Sequence, residues 1–182
     1  MDQPTYIPLL NSIAVNEAKG EKLLSAWAAT TPDAGLASAL RFVAIREGEH
    51  AMAFTKRMCE LGHEVCADTA FQVFKDFDKL VAFVSSPVSD AEKVARLAPR
   101  ASGEPRKDPF TGFFNDTTID PQTGELLGRY IAEERDSGRR LEAEYERLRG
   151  SGMASGELQS LQASIEALRQ EVAKLTRVRS VA

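Results

Sequence analysis

The sequence contains only two cysteines and two histidines, and these low counts limit the kinds of site that it can build. Cys59 and Cys66 are too few for a disulfide framework. Together with His63 they have a spacing near that of zinc ligands, but a fourth ligand is missing. A structural zinc site is therefore not expected here.

Long apolar runs and stretches of basic residues are also missing. No apolar run approaches the roughly 18 residues of a membrane span, and the N-terminus MDQPTYIPLL lacks the positive charge and apolar segment of a secretory signal. The net charge is −4 and the pI is about 5.3, with charges of both signs spread along the chain. We therefore expect a cytoplasmic chain without a membrane or nucleic-acid partner.

Helical periodicity dominates the sequence, whereas the alternation typical of strands is not sustained anywhere. The pattern predicts an all-α fold. The first helix is predicted over Leu9–Ala28 and a second begins after Asp33, a capping residue, and ends at Gly62. A third, shorter helix is predicted over Ala67–Val84, which is rich in phenylalanine.

Residues 85–124 are rich in proline, glycine and charge and are predicted to be a long loop, in which SDAEKVARLA can form a short helix. A loop of this length is a lid, a binding segment or a disordered segment, and the sequence leaves these alternatives open. A fourth helix is predicted from Glu125 to about Arg149. Residues 1–148 would then form one helical bundle domain.

The last part of the sequence has a different pattern. Small residues in RGSGMASGE predict a flexible linker at 149–157. Beyond it, apolar residues at strict spacings of three and four predict a coiled-coil helix over 158–178, which would make the chain a homo-oligomer, with a parallel dimer favoured. A lone helix of this length needs a partner, and packing back onto the bundle is the alternative. The seam positions are Leu158, Leu161, Ile165, Leu168, Val172 and Leu175.

Three predicted helices each carry one glutamate on the face that should be apolar: Glu17, Glu47 and Glu134. A carboxylate in such a place costs several kcal/mol of desolvation unless it is paired, protonated or bound to a cation. His50 lies one turn beyond Glu47, so the two side chains can converge on one point beside the helix. Inward glutamates with Glu-x-x-His build carboxylate-bridged di-iron and di-manganese sites in four-helix bundles. A buried polar pair without metal is the alternative reading of Glu47 and His50.

The stretches NEAKGEKLL and VAIREGEHAMAFTKRMCELG resemble the ferritin-like superfamily, and the second is most similar to rubrerythrin-type sequences. The resemblance implies a ferritin-like four-helix bundle followed by the coiled-coil helix. It also implies that Glu17 is a terminal ligand, Glu47 a bridging ligand and His50 an imidazole ligand. The metal would be a pair of iron ions, with manganese as the alternative.

The second half of the implied ligand set is incomplete. Aligning YIAEERDSGRRL with VAIREGEHAMAF places Glu134 on Glu47, but Ser137 stands where the family has its second histidine. Asp78 is the best candidate for the acid of the third helix. Either one chain holds one good and one poor site, or two chains pair Glu17, Glu47 and His50 about a twofold axis, as in encapsulated ferritins.

The resemblance implies ferroxidase or peroxide-reducing oxidoreductase activity. Rubrerythrins carry an additional iron site with four cysteine ligands, which two cysteines cannot build, so a peroxidase would need an external electron donor. The competing interpretation is a metal-free ferritin-like relic that serves as an oligomeric scaffold or adaptor. The serine in place of the second histidine favours that interpretation.

Overall fold

The computed structural model describes residues 4–98 and 117–179, with side chains described through residue 150 and at Glu166. The described residues form α-helices and no strands, which confirms the all-α prediction. None of the described helices has the length and hydrophobicity needed to cross a membrane. The helices are α1 (Ile7–Thr30), α2 (Ala34–Glu60), α3 (Phe77–Val84), α4 (Asp90–Leu97) and α5 (Pro121–Arg179), with a 3-10 helix at Ala67–Thr69.

Local sequence signals set the ends of α1 and α2. Pro32 restricts the preceding Thr31 to extended backbone, with ψ of 132°, and so ends α1. The Asp33 side chain caps α2 by accepting a hydrogen bond of 2.9 Å from the backbone N–H of Leu36. At the other end Gly62 has φ of +80°, the left-handed conformation that commonly terminates a helix. The predicted cap and stop of α2 are both confirmed.

The helices α1 and α2 form an antiparallel hairpin, and the first part of α5 packs against it. Asp120 lies immediately before α5 and accepts hydrogen bonds from the backbone N–H groups of Gln122 and Thr123. The same carboxylate accepts hydrogen bonds from Tyr6 at 2.6 Å and Arg57 at 2.8 Å. The start of α5 is therefore attached to both helices of the hairpin.

Two apolar clusters hold the three long helices together, one at each end of the hairpin. The first cluster joins the N-terminal part of α1, the C-terminal part of α2 and the start of α5; it contains Tyr6, Ile7, Leu10, Ile13, Ala14, Phe54, Met58, Leu127, Tyr130 and Ile131. The second joins the opposite ends of these helices with α3 and α4; it contains Leu23, Trp27, Ala28, Leu36, Leu40, Val84, Val94, Tyr145 and Leu148. Glu17, Glu47, His50 and Glu134 fall between the two clusters along their helices.

The prediction of one helix over Ala67–Val84 is wrong for its first half. After the 3-10 helix the chain is irregular as far as Asp76, which has φ of +50°, and only then does α3 begin. The side chains of Ser12 and Asn16 on α1 bind the backbone of Phe71 and so compete with helix formation in this segment.

The remaining boundaries also differ from the prediction. The short helix expected within residues 85–124 is α4, while residues 99–116 of that loop lie outside the described residues. Helix α5 begins at Pro121 and continues through residues 149–157, so the predicted break there is absent. This segment contains no proline, and a glycine within a helix costs only about 1 kcal/mol. The division into a 1–148 domain and a 158–178 coiled coil stays a prediction.

Candidate metal centre

Three side chains from three helices meet between the two apolar clusters. Glu17 of α1, His50 of α2 and Glu134 of α5 each offer a ligand atom, and these atoms all lie within 4.8 Å of one another. Glu17 and His50 are about 6% and 4% exposed, and Glu134 is partly buried. Antiparallel packing of α1 and α2 places Glu17 opposite His50, although the two are far apart in the sequence.

The imidazole of His50 is held by carboxylates on both sides. Its Nδ1 lies 3.2 Å from Glu17 Oε2 and its Nε2 lies 2.8 Å from Glu133 Oε2. The second contact comes from α5, where Glu133 also accepts a hydrogen bond of 3.0 Å from Arg129. The ring is therefore oriented with Nδ1 toward Glu17 and Glu134.

Glu17 and Glu134 differ in how their oxygens are satisfied. Tyr130 donates a hydrogen bond of 2.9 Å to Glu17 Oε1, which leaves Oε2 facing His50. Glu134 Oε1 is buried and has no hydrogen-bond partner among the described residues, although it lies 3.4 Å from His50 Nδ1. A buried carboxylate oxygen without a partner is costly, and such atoms call for an explanation such as a bound ion.

Glu47 lies beside this group and is held by close helix packing. A Cβ atom built on Gly20 of α1 would overlap Glu47 Oε2 and would lie 3.0 Å from Glu47 Cδ. The neighbouring contact is reciprocal, because a Cβ on Gly48 of α2 would lie 3.0 Å from Glu21 Cδ. The two glycines thus let the helices approach closely where Glu47 is inserted. Glu21 itself is exposed.

Electrostatics in the metal-free chain favour protons on two of these groups. Burial and the nearby carboxylates of Glu17 and Glu134 raise the pKa of Glu47 to about 9. Burial alone would lower the pKa of His50, but its contacts with Glu134, Glu17 and Glu133 raise that pKa to about 10. At neutral pH Glu47 is therefore uncharged and His50 is cationic.

Two other predicted positions do not contribute to the cluster. Ser137, at the position of the family's second histidine, is buried and accepts a hydrogen bond of 3.1 Å from Arg46. Arg46 also contacts the carboxylate of Asp136 at 3.0 Å. Asp78 is exposed on α3 and does not belong to the cluster. The predicted match between the two halves of the ligand set therefore does not extend to these positions.

Glu133 is the polar group that the sequence analysis missed. It adjoins Glu134 in the stretch AEERD, and only the acid that continued the apolar stripe was selected as a candidate. Positions 130, 133, 134 and 137 all lie within about one half of the helix circumference. A search for acids on both sides of the stripe would have found Glu133.

A cavity of about 540 Å³ opens onto the cluster. Its inner wall carries Glu17, Glu47, Tyr130 and Glu134. Its outer walls are formed by α1 and by the irregular segment before α3, and they are mostly apolar. Of the three candidate ligand residues within 4.8 Å of one another, Glu17 and Glu134 face this cavity.

The donor set is chemically suited to a divalent ion. Two carboxylates and one imidazole are ligands that iron, manganese and zinc accept, and Glu47 can join them after losing its proton. Two of the four residues carry protons in the metal-free state, so an ion would bind in competition with protons. A search of family models, of curated proteins and of solved structures finds no match to this chain.

Proposed function

We propose that this chain is a ferritin-like, carboxylate-bound iron protein with ferroxidase or peroxide-reducing oxidoreductase activity. The observation that carries the proposal is the Oε1 of Glu134, which is buried without a hydrogen-bond partner among the described residues, 3.4 Å from His50 Nδ1 and within reach of Glu17. A metal ion placed among the three side chains would satisfy this oxygen. The proposal also rests on the resemblance of the first two helices to ferritin-like sequences.

The side chains would have different roles in binding the ion. Glu17, His50 and Glu134 would hold the first ion, and Glu47 would contribute once its proton is released. Glu133 would keep His50 Nε2 protonated and leave Nδ1 for the ion, because a hydrogen bond to one ring nitrogen fixes the role of the other. When bound, ferrous iron supplies the electrons that reduce dioxygen or a peroxide.

The assembly is part of the proposal. Three candidate ligand side chains of one chain lie within 4.8 Å of one another, which supports the intrachain arrangement for a first ion. A second copy that supplies its own Glu17, Glu47 and His50 would provide ligands for a second ion and complete a four-helix bundle. The C-terminal coiled coil would hold two chains together. An external electron donor would serve a peroxidase, since the two cysteines, Cys59 and Cys66, are too few to build an iron site with four cysteine ligands. A cytoplasmic location also stays a prediction.

A metal-free scaffold is the second candidate, and Ser137 favours it. The serine hydroxyl is satisfied by Arg46, so this part of the site is stable without an ion. The protonated His50 is likewise paired with Glu17 and Glu133. In this case the cluster would be a polar contact between helices of an oligomeric adaptor.

Metal content decides between the two candidates. The protein should be purified without a chelating tag, loaded anaerobically with ferrous iron, and analysed for iron, manganese and zinc together with its mass by light scattering. We expect one or two iron ions per chain. Two per chain would require another acid from the same chain, whereas one per chain in a dimer would support the shared site.

A pair of glutamine variants tests the ligands directly. Glu17→Gln should reduce iron affinity at least about tenfold because it removes one anionic ligand. Glu21→Gln, one turn away on α1 and exposed, is the matched control and should bind iron like the wild type. Circular dichroism should show unchanged helix content for both. No metal in the loaded wild-type protein would favour the scaffold, whereas full iron content in Glu17→Gln would contradict the assignment of Glu17 as a ligand.

A further inference from the structure

The cavity beside the candidate metal centre has walls suited to an apolar molecule. Leu9 and Ile13 of α1 form one side, and Phe71 and Val73 form the other. Phe71 and Val73 are about 76% and 61% exposed, so they remain accessible at the cavity mouth. Apolar walls around a few polar groups are the usual composition of a small-molecule site.

The wall formed by Phe71 and Val73 is held in place by hydrogen bonds from α1. The Phe71 N–H donates to Ser12 Oγ at 3.0 Å, and Asn16 Nδ2 donates to the Phe71 carbonyl at 2.7 Å. Asn16 Oδ1 also accepts from the Val73 N–H at 3.1 Å. These contacts fix the backbone of the segment at a distance from the carboxylates, so the cavity is part of the folded structure.

The volume exceeds what the smallest oxidants need. A water molecule occupies about 30 Å³ of liquid volume, and dioxygen and hydrogen peroxide are of similar size. At about 540 Å³ the cavity falls in the range of sites for organic ligands. Its ionisable groups lie on one wall, where Tyr130 and the carboxylates of Glu17, Glu47 and Glu134 adjoin the candidate ligand atoms. Ser12 and Asn16 also line the cavity, but they are hydrogen-bonded to the backbone of Phe71 and Val73.

We infer that this cavity binds the apolar body of an organic hydroperoxide and directs its O–O group toward Glu17 and Glu134. The inference rests on the proposed function and names the substrate class of the same site. Reduction cleaves the O–O bond of R–OOH to give R–OH and water. The reaction consumes two protons, which solvent would supply, and two electrons, which a bound pair of ferrous ions would supply on becoming ferric.

Binding to the metal-free protein tests the cavity without any redox chemistry. The probe is 2-phenyl-2-propanol, the alcohol product of cumene hydroperoxide, and binding is followed by calorimetry and by ligand-observed NMR. The double variant Phe71→Asn/Val73→Asn removes the apolar side chains of one wall and should weaken binding about tenfold or more. The control Ile45→Asn/Met52→Asn replaces side chains about 64% and 68% exposed on α2 and should bind like the wild type.

Rapid mixing of the ferrous protein with peroxides tests the substrate class. Cumene hydroperoxide should oxidise the wild-type protein at least about tenfold faster than it oxidises the wall variant. Hydrogen peroxide should oxidise both at similar rates, because it does not use the apolar walls. The Ile45→Asn/Met52→Asn control should match the wild type with either peroxide.

The outcomes separate the inference from the proposed function. If iron binds and hydrogen peroxide oxidises it, but the alcohol does not bind or the wall variant equals the control, the inference is overturned and the proposed function stands. If the chain binds no iron, the proposed function fails and the hydroperoxide inference fails with it, even where the alcohol still binds. Selective loss of both alcohol binding and cumene hydroperoxide reactivity in the wall variant supports the inference.

Discussion

His50 is contacted by carboxylates from two other helices, and this determines what the site can bind. Glu17 and Glu133 take opposite ring nitrogens, while Glu134 lies on the Nδ1 side. An ion that displaced the Nδ1 proton would find two carboxylates already in place. Burying these carboxylates together costs free energy, and a bound cation would lower that cost.

The titration of Asp120 should affect the stability of the fold at acidic pH. Burial alone would raise the pKa of Asp120, but its hydrogen bonds with Thr123, Tyr6 and Arg57 hold that pKa well below 3.8. A carboxyl with a lowered folded-state pKa stabilises the protein above its unfolded-state pKa and loses this effect as the pH falls below it. The Asp120 contribution should therefore be complete above about pH 4 to 5 and decline at lower pH.

Asp120→Ala tests this expectation. It should lower the free energy of unfolding at pH 7 by on the order of 1 to 2 kcal/mol, because the cap and the Arg57 contact are both lost. The difference from the wild type should shrink as the pH approaches 3. Urea unfolding at pH 7, 5 and 3 measures this difference in the free energy of unfolding. Asp78→Ala, which removes an exposed carboxylate of α3, is the control. A difference independent of pH would contradict the assignment.

At the scale of the helices, Gly20 should be the position where α1 tolerates no side chain. Gly20→Ala would place a Cβ against Glu47 and force the carboxyl or the helix to move. Overpacking of this kind costs about 1 to 3 kcal/mol, more than the gain in helix propensity. Gly138→Ala on α5 meets no atom within 4 Å and should stabilise by up to about 1 kcal/mol.

Urea unfolding of both glycine variants measures the change in the free energy of unfolding, which should be negative for Gly20→Ala and positive for Gly138→Ala. The helix-propensity term is the same for each, so the difference between them isolates the contact with Glu47. Equal stabilisation of Gly20→Ala and Gly138→Ala would show that α1 and α2 separate freely at this point. Iron loading of Gly20→Ala would then show whether the metal centre depends on the close approach.

The sequence predicted α1 and α2 well because their boundaries are local. Pro32, Asp33 and Gly62 act on neighbouring backbone groups, and the apolar stripe of α2 remained in phase from Leu36 to Met58. The segment before α3 was predicted wrongly because Ser12 and Asn16, distant in sequence, bind its backbone. Such contacts leave no periodic signal.

The candidate site was predicted in part, because some of its residues lie on the periodic apolar faces of the helices. Glu17, Glu47, His50 and Glu134 continue apolar stripes and so were found, and the structure brings them near one another. Whether they bind metal stays a prediction. On α5 Ser137 is buried, while the neighbouring Gly138 is exposed. The predicted buried face of this helix was shifted by one residue, so the neighbouring Glu133 was not recognised as part of the site.

For the whole molecule, the continuity of α5 bears on assembly. Its 59 residues correspond to a length of about 90 Å, against about 40 Å for α2. Among the residues whose side chains the structure describes, the apolar clusters reach Leu148. The predicted seam lies further along the same helix, and its pairing with a second copy stays a prediction.

Substitutions in the seam test the predicted dimer. Leu161→Lys/Leu168→Lys places charges at two seam positions and should convert a dimer to a monomer in light scattering. Ala163→Lys/Gln170→Lys adds the same charges at outer heptad positions and should leave the dimer intact. An intrachain metal centre predicts equal iron per chain in both variants, whereas a shared centre predicts loss of iron in the monomer. A wild-type monomer would rule out the coiled-coil dimer.

Because the cluster draws on three helices, metal binding at this site would couple the supply of metal to the folding equilibrium. An unfolded chain cannot bring Glu17, His50 and Glu134 together, so an ion bound by all three binds only the folded state. Each tenfold rise in free metal above its dissociation constant then adds about 1.4 kcal/mol to the free energy of unfolding. Without metal the chain would lose this part of its free energy of unfolding, and a larger fraction of it would be unfolded. Its abundance would then depend on the availability of the ion.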